Sequence, residues 1–291
     1  MKKSKSRTLA ERIRESFDEL TRAERQLANL ILENYPVSGM GSITAIAKAS
    51  GVSSPTVARM ARKLGFSGFP AMQAALKDEL RATISNPIVK YDQLAEGAPD
   101  THILNQFADA VLENMRQSLK RIDPALFDRV VALLSDNERA VHVTGGRITH
   151  TIARYFFTHM QVIRSGLNLI DSGSNTWPHY VLNMNDGDIL VVFDIRRYEH
   201  NLIRLAEMAS GRGVTIILFT DQWSSPIARH AQHTFNLRIE VPSAWDSSVV
   251  TLFMVEALLA AIQTSTWGEA RGRMKTLEEL FDKTKLFRKF S

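Results

Sequence analysis

The chain has 291 residues, which is long enough for two domains. Apolar residues make up 44% of it, enough to form buried cores and to exclude a disordered protein. It has no cysteine, so disulfides and thiolate metal sites are excluded. Because it has no apolar run that could span a bilayer and no apolar signal-peptide core after its basic residues 2–7, a cytoplasmic protein is expected. The net charge is +5, and residues 1–85 hold 14 Lys and Arg against 8 Asp and Glu, which favours a nucleic-acid partner for this part of the chain.

The first 41 residues predict the beginning of a small helical domain. Apolar residues recur at helical spacing from Leu9 to Leu20, and Thr21 with Glu24 forms the pattern of a capping box before the next helix. A further helix over residues 71–81 is expected to pack against this bundle.

Residues 42–65 predict two short helices joined by a glycine turn. Ser42 is placed to cap the first helix, Gly51 to end it in a left-handed conformation, and Pro55 to occupy the first turn of the second. This pattern is typical of a helix-turn-helix, whose second helix enters the major groove of DNA. Hydroxyl groups suit base edges and long cations suit phosphates, so the predicted DNA contacts are Ser53, Ser54, Thr56, Arg59, Arg62 and Lys63. The alternative is an ordinary helical hairpin with a solvated basic face.

The rest of the chain predicts a different architecture. Residues 84–100 break helical periodicity and predict a linker that follows a DNA-binding domain over residues 1–83. From 101 to 291, helices and strands alternate, with strands expected at 140–144, 167–170, 189–194, 214–220 and 234–240. Helices are expected at 101–122, 124–134, 149–165, 177–184, 200–212, 225–232, 247–264 and 271–290. Continuous apolar strands indicate an α/β domain whose mainly parallel sheet lies between helix layers, with ligands at the carboxyl ends of the strands.

Several short stretches match one family pattern. In the first half they are residues 20–25, 46–47, 51–59, 64–66 and 68–69, and in the second half Gly145, 188–193, 211–214, 220–221 and 226–228. Here the chain resembles the RpiR-type bacterial transcriptional regulators, which join a helix-turn-helix domain to a sugar isomerase (SIS) domain. The resemblance implies a regulator whose SIS-like domain dimerises, senses a phosphosugar or related metabolite and alters DNA binding.

The two loops that hold sugar phosphate in SIS domains differ here. The first family loop has the pattern glycine-x-glycine-x-serine, and this chain has Arg147 at the second glycine and Thr149 at the serine. In the second loop, the two serines, the glycine and the threonine of the family pattern are replaced by Asp194, Arg196, Arg197 and Glu199. The candidate ligand-binding residues are Gly145, Gly146, Arg147, Thr149, Asp194, Arg196, Arg197 and Ser243.

These substitutions leave two interpretations of the pocket. The three arginines can bind an anionic group through paired hydrogen bonds, which predicts a metabolite-responsive regulator that senses a phosphorylated or acidic sugar. Alternatively, Asp194 neutralises an arginine and fills the pocket, which leaves a ligand-independent architectural DNA binder.

An enzyme is the remaining alternative. A sugar-phosphate isomerase with a DNA-binding head would need Glu199 or His200 to move a proton. Because the family's phosphate-binding residues are replaced, we expect no catalytic residue, and histidine spacing predicts neither a metal site nor a cofactor. The expected partners are a palindromic operator and a second copy of the chain, in a homodimer or tetramer.

Two expectations concern the long apolar helix predicted over residues 247–264. Asp246 or Ser247 is placed to cap its N-terminus. Glu256 interrupts its apolar residues, so we expect this carboxylate to be buried and bonded across a subunit interface.

Overall fold

The computed structural model describes residues 7–33, 35–84, 87–88, 90, 102–171 and 173–287. The chain divides into two compact units. The first comprises Met1–Arg121, Thr220–Arg229 and Asn236–Ser247, and the second comprises Ile122–Phe219, His230–Phe235 and Ser248–Ser291. Most of the linker predicted over residues 84–100 lies outside the described residues.

The first unit is helical over its N-terminal part. Its helices are α1 Leu9–Glu15, α2 Arg22–Glu33, α3 Ile43–Ala49, α4 Ser54–Lys63, α5 Phe69–Ile84 and α6 Ile103–Leu119. The predicted capping box begins α2, because the Thr21 N–H donates to Glu24 Oε2 at 2.9 Å and the Glu24 N–H donates to Thr21 Oγ1 at 3.4 Å. The core of this bundle consists of fully buried apolar side chains, including Leu9, Ile13, Leu27, Ile31, Met60, Met72 and Leu76.

A five-stranded sheet has the order β2-β1-β3-β4-β5. Its strands are β1 Val141–Gly145, β2 Leu167–Leu169, β3 Ile189–Phe193, β4 Thr215–Asp221 and β5 His233–Leu237. The pairs β1–β2, β1–β3 and β3–β4 are parallel, which confirms the predicted mainly parallel sheet. The helices after α6 are α7 Pro124–Ser135, α8 His150–Ile163, α9 Trp177–Leu182, α10 His200–Ser210, α11 Val249–Ser265 and α12 Trp267–Thr284.

The register of the central strands places two loops at one edge of the sheet. Gly145 at the end of β1 pairs with Phe193 at the end of β3, and Phe193 pairs with Phe219 on β4. The Phe193 and Phe219 rings stack with centroids 4.7 Å apart, and both side chains are buried. The chain segments that follow β1 and β3 therefore start side by side on a rigid, buried platform.

Three local predictions were wrong. Residues 225–232 form only a short 3-10 turn, Pro226–Arg229, because the Gln232 N–H already donates to the Ile216 carbonyl of β4. Helix α11 begins at Val249 after Ser248, with no side-chain cap. The residues proposed as its cap are used elsewhere: Asp246 Oδ1 accepts from Lys90 Nζ at 2.7 Å, and the Ser247 N–H donates to the Ile239 carbonyl.

The third wrong prediction is the burial of Glu256 within the chain, whereas its bond across a subunit interface stays a prediction. This side chain is exposed, and its carboxylate accepts a hydrogen bond from the Tyr155 hydroxyl at 2.9 Å. Within the single chain this charge lies on the exposed side of an apolar helix, so its burial is not required by the fold.

Within the described ranges, no single helix is long and apolar enough to cross a membrane; only α11 and α12 together, bent by 101°, meet the criterion of length and composition.

Candidate DNA-binding and ligand-binding sites

Helices α3 and α4 form the predicted helix-turn-helix. Ser42 Oγ accepts the Ala45 N–H at 3.1 Å and so caps α3. Gly51 adopts a φ of 64°, which an L side chain rarely adopts, and the Val52 N–H donates to the Ala47 carbonyl at 2.9 Å. Ser53 then caps α4 by accepting the Thr56 N–H. The two serine caps and the left-handed glycine therefore produce a tight turn between two short helices.

Helix α4 has one buried side and one exposed side. Val57, Met60 and Ala61 have no exposed surface, which fixes the helix on the bundle. On the other side, Arg59 and Arg62 are exposed cations. This amphipathic arrangement leaves a basic helix surface that can approach DNA phosphates and base edges.

Ser53 and Thr56, two of the predicted DNA contacts, also make hydrogen bonds within the protein at the start of α4. Thr56 is buried, and its hydroxyl lies 2.9 Å from Ser53 Oγ while accepting from Arg59 Nη2 at 3.1 Å. Thr56 therefore holds the Arg59 guanidinium against the helix start. Ser53 is exposed and Ser54 is half-buried, so both hydroxyls remain near the surface of the first turn.

Lys63 at the end of α4 is anchored within the bundle. Its ammonium ion-pairs with Glu24 Oε2 at 3.1 Å and donates to the Glu19 carbonyl. Burial alone would raise the pKa of Glu24, but hydrogen bonds from Thr21 and Lys63 lower it below the usual range. The interaction of Lys63 with phosphate remains a prediction, and the internal pair competes with it.

The loop after β1 is closed by its own residues. A Cβ atom on Gly145 would lie 2.7 Å from the Thr149 carbonyl group, so only glycine fits there. The Gly146 N–H donates to Thr149 Oγ1 at 2.8 Å, and this hydroxyl donates to the Phe193 carbonyl at 2.6 Å. Thr149 therefore joins the loop to β3 instead of presenting its hydroxyl to a ligand.

Glu199 connects the loop after β3 to the loop after β1. Its Oε1 accepts the Arg147 N–H at 2.6 Å, and a Cβ atom on Gly146 would lie 2.8 Å from the same oxygen. The Glu199 N–H is 3.4 Å from Oδ1 of Asp194, which is only 2% exposed. The Glu199 carboxylate is thus itself an anion bound to a backbone N–H of the loop after β1. The sequence marked Glu199 as a replacement for the family's threonine and as a proton-moving residue of the isomerase alternative, but not as a partner of the loop after β1.

The arginines of the second loop have unusual backbones. Arg196 has a φ of 36° and Arg197 a φ of 56°, both in the left-handed region that disfavours L side chains. Such residues cost about 1–3 kcal/mol each and tend to cluster at functional sites. The Arg147 and Arg197 side chains are exposed, and Arg196 is half-buried.

Ser243, the remaining candidate ligand-binding residue, lies in the first unit, where its hydroxyl accepts the Trp245 N–H at 3.2 Å.

Other titratable groups near the sheet do not form a metal site. Among the residues that the structure describes, no group of three His, Asp or Glu side chains could hold a metal ion. His142 on β1 is 3% exposed, and its Nε2 lies 3.7 Å from Asp188 Oδ2. Burial lowers the pKa of His142 although the nearby Asp188 carboxylate opposes this effect. His142 is therefore neutral near pH 7 and belongs to the sheet core.

Comparison with known proteins matches both halves of the chain. Residues 7–83 match the helix-turn-helix domain of the rpiR family, and residues 133–261 match the SIS domain. The HTH-type transcriptional regulator HexR of Pseudomonas aeruginosa is 26% identical over 284 residues, which cover 94% of this chain and 95% of HexR.

Two solved structures share the fold. The sugar isomerase domain of an RpiR transcription factor from Sphaerobacter thermophilus aligns with a TM-score of 0.55 at 22% identity, over 60% of this chain and 97% of that chain. The Vibrio vulnificus NanR protein complexed with ManNAc-6P aligns with a TM-score of 0.55 at 18% identity, over 97% of this chain and 100% of NanR. The chain thus belongs to the RpiR family of transcriptional regulators, with a helix-turn-helix domain followed by an SIS domain.

Proposed function

We propose that this protein is a metabolite-responsive regulator that binds an inverted-repeat operator as a homodimer or tetramer in the cytoplasm. Helix α4 enters the major groove, and a small anionic metabolite, a phosphorylated or acidic sugar, binds between the loops after β1 and β3. Occupation of this site changes the affinity for DNA.

The DNA-binding part rests on the two-sided helix α4. Its buried side fixes its position on the bundle, while Arg59 and Arg62 extend from the exposed side. Arg59 is additionally positioned by Thr56, close to the first turn, where recognition helices contact base edges. We therefore assign base contacts to Ser54 and Arg59 and a phosphate contact to Arg62.

The ligand-binding part rests on one observation: a carboxylate, Glu199 Oε1, lies on the Arg147 backbone N–H at the carboxyl ends of parallel strands. An amide that holds one oxyanion suits the oxyanion of a ligand. Exposed Arg147 and Arg197 side chains flank this position in the chain. Guanidinium groups recognise phosphate or carboxylate through paired hydrogen bonds, so an anionic ligand fits this site.

The same observation supports a second candidate, a ligand-independent architectural DNA binder. If Glu199 satisfies the amide permanently, the loop needs no ligand. An isomerase is disfavoured, because Glu199, one of the two residues proposed to move the proton, already accepts a hydrogen bond from the Arg147 backbone N–H.

The DNA part is tested with a duplex selected from a random pool by the wild-type protein. Its affinity and that of a random duplex of equal length are measured at several salt concentrations for wild type and Arg62→Ala. Loss of one phosphate contact is expected to reduce the slope of log K against log salt by about 0.9 on both duplexes. An unchanged slope would remove Arg62 from the interface.

The ligand part is tested by a thermal-shift screen of phosphorylated and acidic sugars. The matched variants are Arg197→Gln, at the proposed site, and Arg204→Gln, an exposed arginine on α10. We expect a stabilising compound for wild type and Arg204→Gln but not for Arg197→Gln. A screen in which no compound stabilises wild type would favour the architectural candidate.

A further inference from the structure

Helix α1 carries a buried ion pair with a residue far away in the sequence. Glu11 accepts hydrogen bonds from Arg238, at 2.9 Å from Nε and also from Nη2. Glu11 is 4% exposed and Arg238 6% exposed. Arg121 adds a second cation 3.7 Å from Glu11 Oε1. A buried charge is costly unless an opposite charge pairs with it. The position of Glu11, and with it that of α1, therefore depends on Arg238.

The neighbouring residue on α1 contacts the end of the recognition helix. Arg12 Nη1 donates to the Leu64 carbonyl at 2.8 Å, and Leu64 is the C-terminal cap of α4. The Arg12 guanidinium also lies 4.6 Å from the centroid of the Phe66 ring. The carbonyls of a last helical turn lack partners within the helix, and a cation there is favourable. Arg12 therefore fixes the C-terminal end of α4.

Arg238 itself is held by the segment that follows β5. Its backbone N–H donates to Ser118 Oγ on α6 at 2.9 Å. The next residue, Ile239, donates its N–H to Gln222 Oε1 at 3.3 Å, immediately after β4. Hydrogen bonds therefore hold the Arg238 backbone against α6 and the end of β4, all within the first unit.

From these contacts we propose that the Arg238–Glu11 ion pair positions the recognition helix for DNA, acting through Arg12 on the end of α4. Glu11 and Arg12 are adjacent on one short helix, so a displacement of Glu11 moves Arg12 as well. Arg238 is thus a positioning residue for operator binding although it follows the last strand of the sheet. This proposal rests on the proposed DNA-binding function.

The test compares the selected operator duplex with a random duplex for wild type and for Arg12→Met, Arg238→Met and the double variant Arg12→Met/Arg238→Met. Each single substitution is expected to weaken operator binding about 10-fold, within the usual range of coupling between sites. Because both act on the same helix end, the double variant is expected to bind no more weakly than the weaker single variant. Arg238→Met is expected to leave binding to the random duplex unchanged.

The control is the exposed ion pair on α6, Glu113→Gln/Arg116→Met, whose side chains are 49% and 75% exposed. It is expected to bind both duplexes as wild type does. If Arg238→Met fails to fold, Glu11→Gln/Arg238→Met removes both buried charges and carries the same expected loss of operator affinity.

A readout independent of DNA is the hydrogen exchange of the Leu64 to Phe66 amides. Arg12→Met and Arg238→Met are both expected to accelerate it, with no change in α2. Full operator affinity in the folded Arg238 variants, or multiplicative losses in the double variant, would overturn the proposal. If wild type itself binds the operator no better than the random duplex, the proposed function fails instead.

Discussion

Glu79 on α5 makes the stability of the protein depend on pH in a defined direction. Its Oε1 accepts the Leu9 N–H at 2.8 Å, and Oε2 accepts the Tyr35 hydroxyl. Burial raises the pKa of Glu79 from 4.5 to about 7, with Glu11 adding repulsion, while the Tyr35 and Leu9 hydrogen bonds and the Arg12 charge oppose the rise. The folded protein therefore retains a proton that the unfolded chain has released.

This difference fixes the sign and size of the effect. Between pH 4.5 and about 7 the folded state binds more protons than the unfolded state, so the free energy of unfolding falls as pH rises. At about 1.4 kcal/mol per pKa unit, the loss is about 3 kcal/mol at most and is complete above the folded pKa. Glu79→Gln keeps the acceptor for Leu9 and removes the titration.

The assay is urea unfolding at several pH values between 4 and about 8. The free energy of unfolding of wild type minus that of Glu79→Gln is expected to decrease by about 3 kcal/mol over this range. Asp78→Asn, next in the chain and 75% exposed, serves as the control and is expected to show no such trend. A difference between wild type and Glu79→Gln that does not vary with pH would refute the argument.

Further predictions concern the two sites and the assembly. Arg59→Ala is expected to cost about 1–3 kcal/mol on the selected operator and to relax the preference at one base pair, whereas Arg81→Ala on α5 changes neither, as measured by fluorescence anisotropy. Glu199→Gln removes the internal anion, so inorganic phosphate is expected to raise the melting temperature of this variant more than that of wild type or Glu207→Gln. Equal shifts would show that Glu199 does not occupy the anion site. Gly145→Ala is expected to lower the free energy of unfolding by about 1–3 kcal/mol, because its Cβ meets the Thr149 backbone at 2.7 Å, and unchanged urea unfolding would contradict that geometry. Light scattering is expected to give a dimer or larger assembly, with operator half-sites about 34–36 Å apart or a multiple of that spacing; a monomer with full operator affinity would contradict it.

Local signals in the sequence were sufficient for the helix-turn-helix and the sheet. Ser42, Gly51 and Pro55 act within a few residues of their own position, so their cap, left-handed turn and first-turn roles are encoded locally. The continuous apolar strands β3 and β4 indicated burial on both faces and hence parallel pairing.

The contacts of the sites could not be predicted in the same way, because their partners are distant in the sequence. Arg147 and Glu199 are 52 residues apart, and Glu11 and Arg238 are 227 apart. Neither pair leaves a periodic pattern. The Thr149 hydroxyl has the residue type of a ligand contact but bonds to β3, and only the register of β1 with β3 brings the Phe193 carbonyl within reach.

The central claim, that an anionic metabolite bound beside β1 and β3 controls DNA binding, is tested most directly by operator affinity. The selected duplex is titrated with wild type, Arg197→Gln and Arg204→Gln, with and without each compound of a panel of phosphorylated and acidic sugars. We predict that one compound changes the affinity of wild type and Arg204→Gln about 5- to 150-fold, and that Arg197→Gln binds DNA normally but does not respond. An affinity that no compound changes, or an equal response in Arg197→Gln, would contradict the account.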